Sequence, residues 1–413
     1  MKQDVDAGTR FTLGPAKGRT RVPGMTTMEA IMLFSGCNCI AEASTFGSLC
    51  AGGTGFVSAM MAAMTAAART GTATPLGRTV PEVDRLAVRI VTDNIVVQFV
   101  PTEKRDGLTI ERRTGGNTTP DAPPHAALNG EWGLAMHAES QAAGETRHVL
   151  VDFGYTSEVL LNNMAILKID PSLFDAMVLS HGHYDHFGGM VGFLAANKGQ
   201  LKQKLPFFVG GEDAFCLRKN PGGNFGAIDR RAIMDADLAL MLSEGPALVA
   251  DHAFTTGRIG QTSFEKPLLP TQEIVGIFDG FGCFPEQMPA AKNVGKYIPD
   301  DFDHEIATSY LVKGKGLVVL TSCSHRGVIN AVQQAQRVSG VDKVHAVIGG
   351  FHIVPPLGDD YIRQTIAAFR EIDPDHLIPG HCAGDRFYDL ARDAMGDKVI
   401  HSAVGTRFVF GAQ

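Results

Sequence analysis

From residue 86 onward the chain alternates between two textures. Short β-branched runs give way to longer stretches whose apolar residues recur three and four apart. "LAVRIVTDNIVVQFV" (86–100) predicts a strand, and "WGLAMHAES" and "RHVLVDFG" predict two more, over 133–138 and 148–152. "SEVLLNNMAILKI" (157–169) has helical spacing. "DAMVLS" (175–180) is a short apolar run of the kind that forms a buried strand, and "GGMVGFLAANKG" (188–199) leaves it as a helix. The middle of the chain, about 201–303, sets short strands ("LPFFVG", "QEIVGIF") among turn-rich stretches such as "NPGGNFGAIDR". In the last third "KGLVVLTSCSH", "VHAVIGGFH" and "HLIPGH" predict strands, with helices at "GVINAVQQAQRV" and "DYIRQTIAAFREI". Strands and helices alternating in both halves predict a layered α/β protein.

Residues 1–82 break this pattern. They are rich in Ala, Gly, Met and Thr, with a helix predicted near 57–68, and they read as an N-terminal extension before a domain spanning 83–413. The stretch 49–75 carries a single charge, Arg69, and resembles a degenerate export segment. No paired arginine precedes it and Glu29 and Glu42 interrupt it, so the expected home is the cytoplasm, with export to the periplasm as the alternative. No run reaches the 18 or more apolar residues expected of a membrane span.

Of the 413 residues 44% are hydrophobic and 20% charged, enough for a large core. A net charge of −7 argues against a nucleic-acid partner, which would need a basic footprint. Seven scattered cysteines, among them Cys37, Cys39 and Cys50, predict no disulfide framework. An odd number leaves at least one thiol unpaired, which favours a reducing compartment.

The chemistry gathers at the ends of the apolar runs. Three of them finish on a histidine, at His181, His325 and His381, and a fourth at His352. Ligands of open α/β sheets bind beyond the carboxyl ends of strands, so these side chains can meet. The first run opens into "SHGHYDHFGG", where His181 and His183 can face one ion and Asp185 and His186 a second. Paired ions of hydrolytic enzymes lie roughly 3.5–4 Å apart and share a water. Mixed imidazole and carboxylate donors suit Zn²⁺ and also admit Fe or Mn.

"HGHYDH" resembles the His-x-His-x-Asp-His signature of the metallo-β-lactamase fold, and Asp152 in "LVDFG" resembles the buried aspartate that orients ligand histidines there. "LSHGHYDHFGG", "GLVVLTSCSHRGVIN", "VIGGFH" and "IPGHCAGD", in this order, are similar to one branch, the metallo-hydrolases related to an archaeal dihydropterin synthase. The resemblance runs from about residue 86 to "VGTRFVF" and implies an αββα sandwich of two mixed sheets flanked by helices. It implies two divalent ions, one on His181, His183 and His325, the other on Asp185, His186 and His381. Relatives of the fold carry a bridging aspartate where this chain has Cys323, leaving Cys323 as either a ligand or a buried spectator. His304 is a further candidate ligand.

The expected activity is metal-dependent hydrolysis of a phosphoester or ester, with Asp185 and His352 catalytic. Arg326, Arg386 and Tyr184 are expected to bind a small-molecule, anionic substrate. The alternative keeps the centre but makes the chain a dihydropterin synthase-like transferase acting on a diphosphate leaving group. A metal-sensing module and a nuclease suggested by "HEIAT" (304–308) are weaker readings.

Overall fold

The computed structural model describes residue 76 and residues 79–113, 125–268 and 270–411. The helix expected near 57–68, the export-like stretch 49–75, Cys37, Cys39, Cys50 and most of the 112–124 loop lie outside the described residues.

Two mixed sheets dominate. Among the described residues the first has nine strands, ordered Ala239–Leu242, Pro206–Val209, Ala176–Leu179, Glu145–Val151, Ala135–Ala142, Arg85–Thr92, Arg407–Gly411, Leu108–Glu111 and Glu103–Arg105. The second runs Ala247–Val249, Ala253–Thr255, Thr308–Val312, Gly316–Thr321, Val344–Gly349 and His376–Pro379, with Glu82–Val83 alongside Thr308–Val312. Each sheet has a parallel core: Glu145–Val151, Ala176–Leu179 and Pro206–Val209 in one, Gly316–Thr321, Val344–Gly349 and His376–Pro379 in the other.

The period of two along a strand sorts the side chains into layers. Val149 and Val151 pack in the cluster shared by the two sheets, whereas Leu150 packs with the helices outside. Val318 and Leu320 face Val178 and Phe208 across that shared core, while Leu317 and Val319 pack outward. Parallel strands covered on both faces need apolar residues at every position, which explains the unbroken runs "AMVL" and "GLVVLT". Helix Ser157–Leu167 closes the outer face of the first sheet, and Val328–Ser339, Asp359–Ile372 and Asp385–Met395 close the second. Val178→Asp would place a charge at a fully buried position between the sheets and break the sandwich.

The strand expected over 86–100 stops at Thr92. Asp93 is buried and its carboxylate accepts from the backbone N–H groups of Asn94 (2.7 Å) and His381 (2.9 Å) and from Ser402 Oγ (3.0 Å), which turns the chain out of the sheet. "QEIVGIF" forms two strands, Gln272–Ile274 and Gly276–Phe278. Cys216 and Cys283, 67 residues apart, form a disulfide that spacing alone did not suggest; Cys323 and Cys382 are free and buried. Among the described residues no helix is long and apolar enough to cross a membrane.

Candidate metal centre

The carboxyl ends of the parallel strands of both sheets open on one edge of the sandwich. Ala176–Leu179 delivers His181, and the single turn of helix Tyr184–Phe187, with His183 as its N-cap, delivers Asp185 and His186. Gly316–Thr321 leads to His325, Val344–Gly349 to His352, and His376–Pro379 to His381. Gly182 must be glycine because a Cβ there would lie 2.4 Å from the carbonyl oxygen of Ala214.

Six side chains converge in two groups, His181 with His183 and His325, and Asp185 with His186 and His381; within each group the donor atoms lie within 4.8 Å of one another. His181 Nε2 and His325 Nε2 are 3.2 Å apart, and Asp185 Oδ2 stands 3.3 Å from His381 Nε2 and 3.7 Å from His186 Nε2. These are the groupings that the resemblance implies.

Buried acceptors behind the cluster aim it. Asp152 accepts from Ser180 N (2.7 Å) and Ser180 Oγ (2.8 Å), and its Oδ2 is 2.8 Å from His186 Nδ1. With the proton of His186 on Nδ1 for that contact, its Nε2 keeps a lone pair for the centre. Glu305 receives the backbone N–H groups of His325 and Arg326, each at 2.7 Å, and Asp93 does the same for His381. Phe302 stacks on His325, with ring centroids 4.1 Å apart and planes 3° from parallel.

Electrostatics keeps the first group in its neutral, ligating form. Burial, reinforced by neighbouring imidazoles, pushes His181 and His325 well below the ordinary histidine range. Burial also leads in lowering His183, to about 3. Around Asp185 burial favours the neutral acid, but His186 and His381 outweigh it and hold the carboxyl below the usual carboxylate range. Burial likewise opposes charge on His381; Cys382, Asp185 and Asp93 overcome it and raise the ring to about 9.

The donors fit divalent cations. Nε2 of His183, His186 and His381 is buried without a hydrogen-bond partner. Leaving one such atom unsatisfied costs about 1–3 kcal/mol, a cost that cations held by the two groups would remove. Imidazole nitrogens with one carboxylate are borderline donors, suited to zinc and its neighbours.

A cavity of about 700 Å³ opens over the cluster. Trp132, Tyr155, Tyr184 and Phe225 form an aromatic wall; His183, Asp185, His325, His352, Cys323 and Cys382 line its polar side. Tyr184 thus stands where substrate would pass, and His352 packs on His325 with ring centroids 4.0 Å apart. Cys323 Sγ is 3.5 Å from His352 Nδ1 and also close to donors of His181 and His186.

The two arginines expected at the substrate stand elsewhere. Arg326 Nη1 donates to the carbonyl of Asp301 (2.8 Å) and pairs with Asp303. Arg386 is exposed on the outer helix, its Nε 2.9 Å from Asp359. Arg326 directly follows His325 and Arg386 lies five residues after His381, yet among the described residues no lysine or arginine lines the cavity. His304 turns its Nδ1 to Arg218 (2.9 Å) and Asp213 (3.3 Å), while its buried Nε2 has no partner.

That contact belongs to a group that sequence reading did not identify. Arg218 is completely buried, with Asp300 at 2.6 Å, Glu273 at 3.2 Å and Asp213 at 3.4 Å, and it anchors the irregular middle segment behind the centre. Nothing around "LRKNPGG" announces it, because two of its three carboxylate partners lie 55 and 82 residues away. Cys382, Glu305 and Asp93 also went unassigned, although Cys382 directly follows His381.

Comparison with known proteins agrees with this architecture. Residues 142–199 match the family model described as the metallo-beta-lactamase superfamily. A 7,8-dihydropterin-6-methyl-4-(β-D-ribofuranosyl)-aminobenzene-5'-phosphate synthase of Methanocaldococcus jannaschii is 29% identical over 61% of this chain and 81% of its own length. An uncharacterized protein of the same archaeon is 27% identical over 63% of this chain and 87% of its own. Among solved structures, a metal-dependent hydrolase of the β-lactamase superfamily superposes with a TM-score of 0.56 at 20% identity, covering 78% of this chain and 98% of that one. With two mixed sheets between helices, a histidine-rich edge and these relatives, the chain is a metallo-β-lactamase-fold protein similar to the archaeal dihydropterin synthase.

Proposed function

We propose that residues 83–413 form a catalytic domain that hydrolyses a phosphoester or ester of a small molecule with the help of two divalent ions, Zn²⁺ by the donor set. The observation carrying this reading is the convergence of buried imidazole nitrogens without hydrogen bonds and one carboxylate at the floor of an open cavity. Held by His181, His183 and His325 and by Asp185, His186 and His381, the ions supply Lewis acidity and lower the pKa of water from about 15.7 toward 7.

The protein does the rest. Asp152, Glu305 and Asp93 fix ring and backbone orientation, so little reorganises during the reaction. Asp185, kept ionised, orients the attacking water toward the reacting centre. His352, at the cavity wall, gives a proton to the leaving group. The aromatic wall holds an apolar part of the substrate and excludes bulk water. With no lysine or arginine lining the cavity among the described residues, negative charge on the substrate would fall to the ions.

A second reading draws on the printed name of the 29% identical relative, a synthase. The same centre would then activate a diphosphate leaving group for transfer to a second substrate. The deciding experiment offers the zinc-loaded protein phosphodiesters, carboxylic esters and a dihydropterin diphosphate with an aromatic acceptor. Chelator-sensitive turnover of a simple ester supports hydrolysis, and turnover only of the diphosphate with acceptor supports transfer. No turnover on any of them rejects both.

A further inference from the structure

We propose that Cys323, Cys382 and His352 form a binding site for one soft, thiophilic cation, adjoining the six-donor group but sharing none of its residues, and independent of whether the chain is a hydrolase.

The site follows from strand register. Gly316–Thr321, Val344–Gly349 and His376–Pro379 are adjacent and parallel, and Thr321, Gly349 and Pro379 stand side by side in one paired row. Cys323 lies two residues beyond that row, His352 and Cys382 three. Three neighbouring strands therefore each deliver one donor to the same level of the same edge. The donor atoms lie within 4.8 Å of one another, with Sγ···Sγ 3.1 Å and Cys323 Sγ to His352 Nδ1 3.5 Å.

Local backbone serves the same convergence. His352 has φ 47°, a left-handed conformation that costs a residue with a Cβ and survives where the surroundings impose it. Gly350 leaves room for Cys382: a Cβ there would meet Cys382 Sγ at 2.7 Å. Both thiols are buried, at 3% and 2% exposure, yet all three residues line the cavity, so an ion can reach them.

Chemistry and magnitude separate this site from its neighbours and from a disulfide. Two sulfurs and one imidazole make a softer set than the nitrogen and carboxylate donors beside it, and they select Zn²⁺, Cd²⁺ or Cu⁺ over hard cations. At a Zn–S distance of about 2.3 Å in a tetrahedral site, two sulfurs sit roughly 3.8 Å apart. Reaching that from 3.1 Å needs an opening of roughly 0.7 Å, whereas a bond at about 2.05 Å needs a closure of roughly 1 Å. A cation on Nδ1 would also leave the ring proton on Nε2, the nitrogen then available to a substrate.

The test uses the full chain, loaded with two equivalents of zinc for the six-donor group and kept anaerobic with reductant, and titrates it with Cd²⁺. Bound metal per chain is counted after desalting, and thiolate-to-cadmium charge-transfer absorption is followed. The expected result is one additional equivalent accompanied by the absorption. Cys382→Ser and Cys323→Ser should each weaken that equivalent at least tenfold, abolish the absorption and retain the zinc. His352→Gln should weaken the equivalent but keep the absorption. If the serine variants fail to fold, cadmium-113 resonance on the wild-type protein reads the sulfur ligands directly. The proposal is overturned if no absorption develops, if cadmium only replaces zinc one for one, if the resonance lacks sulfur ligation, or if peptide mapping recovers a Cys323–Cys382 disulfide from the reduced protein. None of these readouts involves turnover, so the outcome stands apart from the hydrolase reading.

Discussion

The molecule holds two groups of packed imidazoles that look alike by composition and differ in physics. On the first sheet His137 and His148 stack with planes 2° from parallel, and His137 Nε2 meets His148 Nδ1 at 3.1 Å, a self-satisfied pair on neighbouring strands. At the edge of the sandwich His183, His186 and His381 present Nε2 atoms with no hydrogen bond, and the Asp185 carboxylate stands among them, 3.3 Å from that of His381. Burial lowers both His137 and His183 to about 3, so a perturbed titration does not distinguish a structural histidine from a candidate ligand. The direction and satisfaction of the nitrogens do.

The comparison breaks first if the two groups respond alike to truncation. His183→Ala and Asp185→Ala should each lower turnover by about 10³-fold or more and reduce bound metal, measured by steady-state kinetics and elemental analysis. His148→Ala should stay within about twofold on both. Chelation should remove activity and lower the thermal midpoint, since an ion at a hundred times its Kd stabilises the folded state by about 2.7 kcal/mol. Full activity in metal-free protein would sink the dinuclear scheme. Asp152→Asn leaves the ligands in place but alters the acceptor behind His186; a loss of about 10–100-fold in metal affinity is expected.

The satisfied pair makes its own, smaller prediction. Burial first, and His148 second, lower His137 from 6.5 to about 3 in the folded state. Between those values the unfolded chain binds the proton more readily, so stability complete above pH 6.5 drains away as pH falls toward 3. Denaturant titrations should find a loss on the order of 2–3 kcal/mol between pH 6.5 and 4 that His137→Phe reduces. An unchanged slope in that variant would place the acid sensitivity elsewhere.

Much of the architecture was legible because its signals are local. A buried parallel strand must be apolar at every position and a surface helix on one stripe, so "AMVL", "GLVVLT" and "DYIRQTIAAFREI" declare themselves. The candidate centre was legible for the same reason, since His181, His325 and His381 each close such a run and His183, Asp185 and His186 follow His181 within one short segment. Tyr184 lines the cavity wall, whereas Arg326 and Arg386 do not, because closeness in sequence to a strand end fixes a side chain's neighbourhood but not its direction.

The chain alone determined which segments become strands and helices, and which strand ends carry imidazoles, thiols and carboxylates, since periodicity and residue chemistry are properties of neighbours. Only the tertiary structure decided which ends meet. The stop at Asp93, the Glu305 carboxylate under His325, the Arg218 cluster and the Cys216–Cys283 bond all join residues far apart in sequence. Their energies arise from burial and close approach, which do not exist until the sheets have packed.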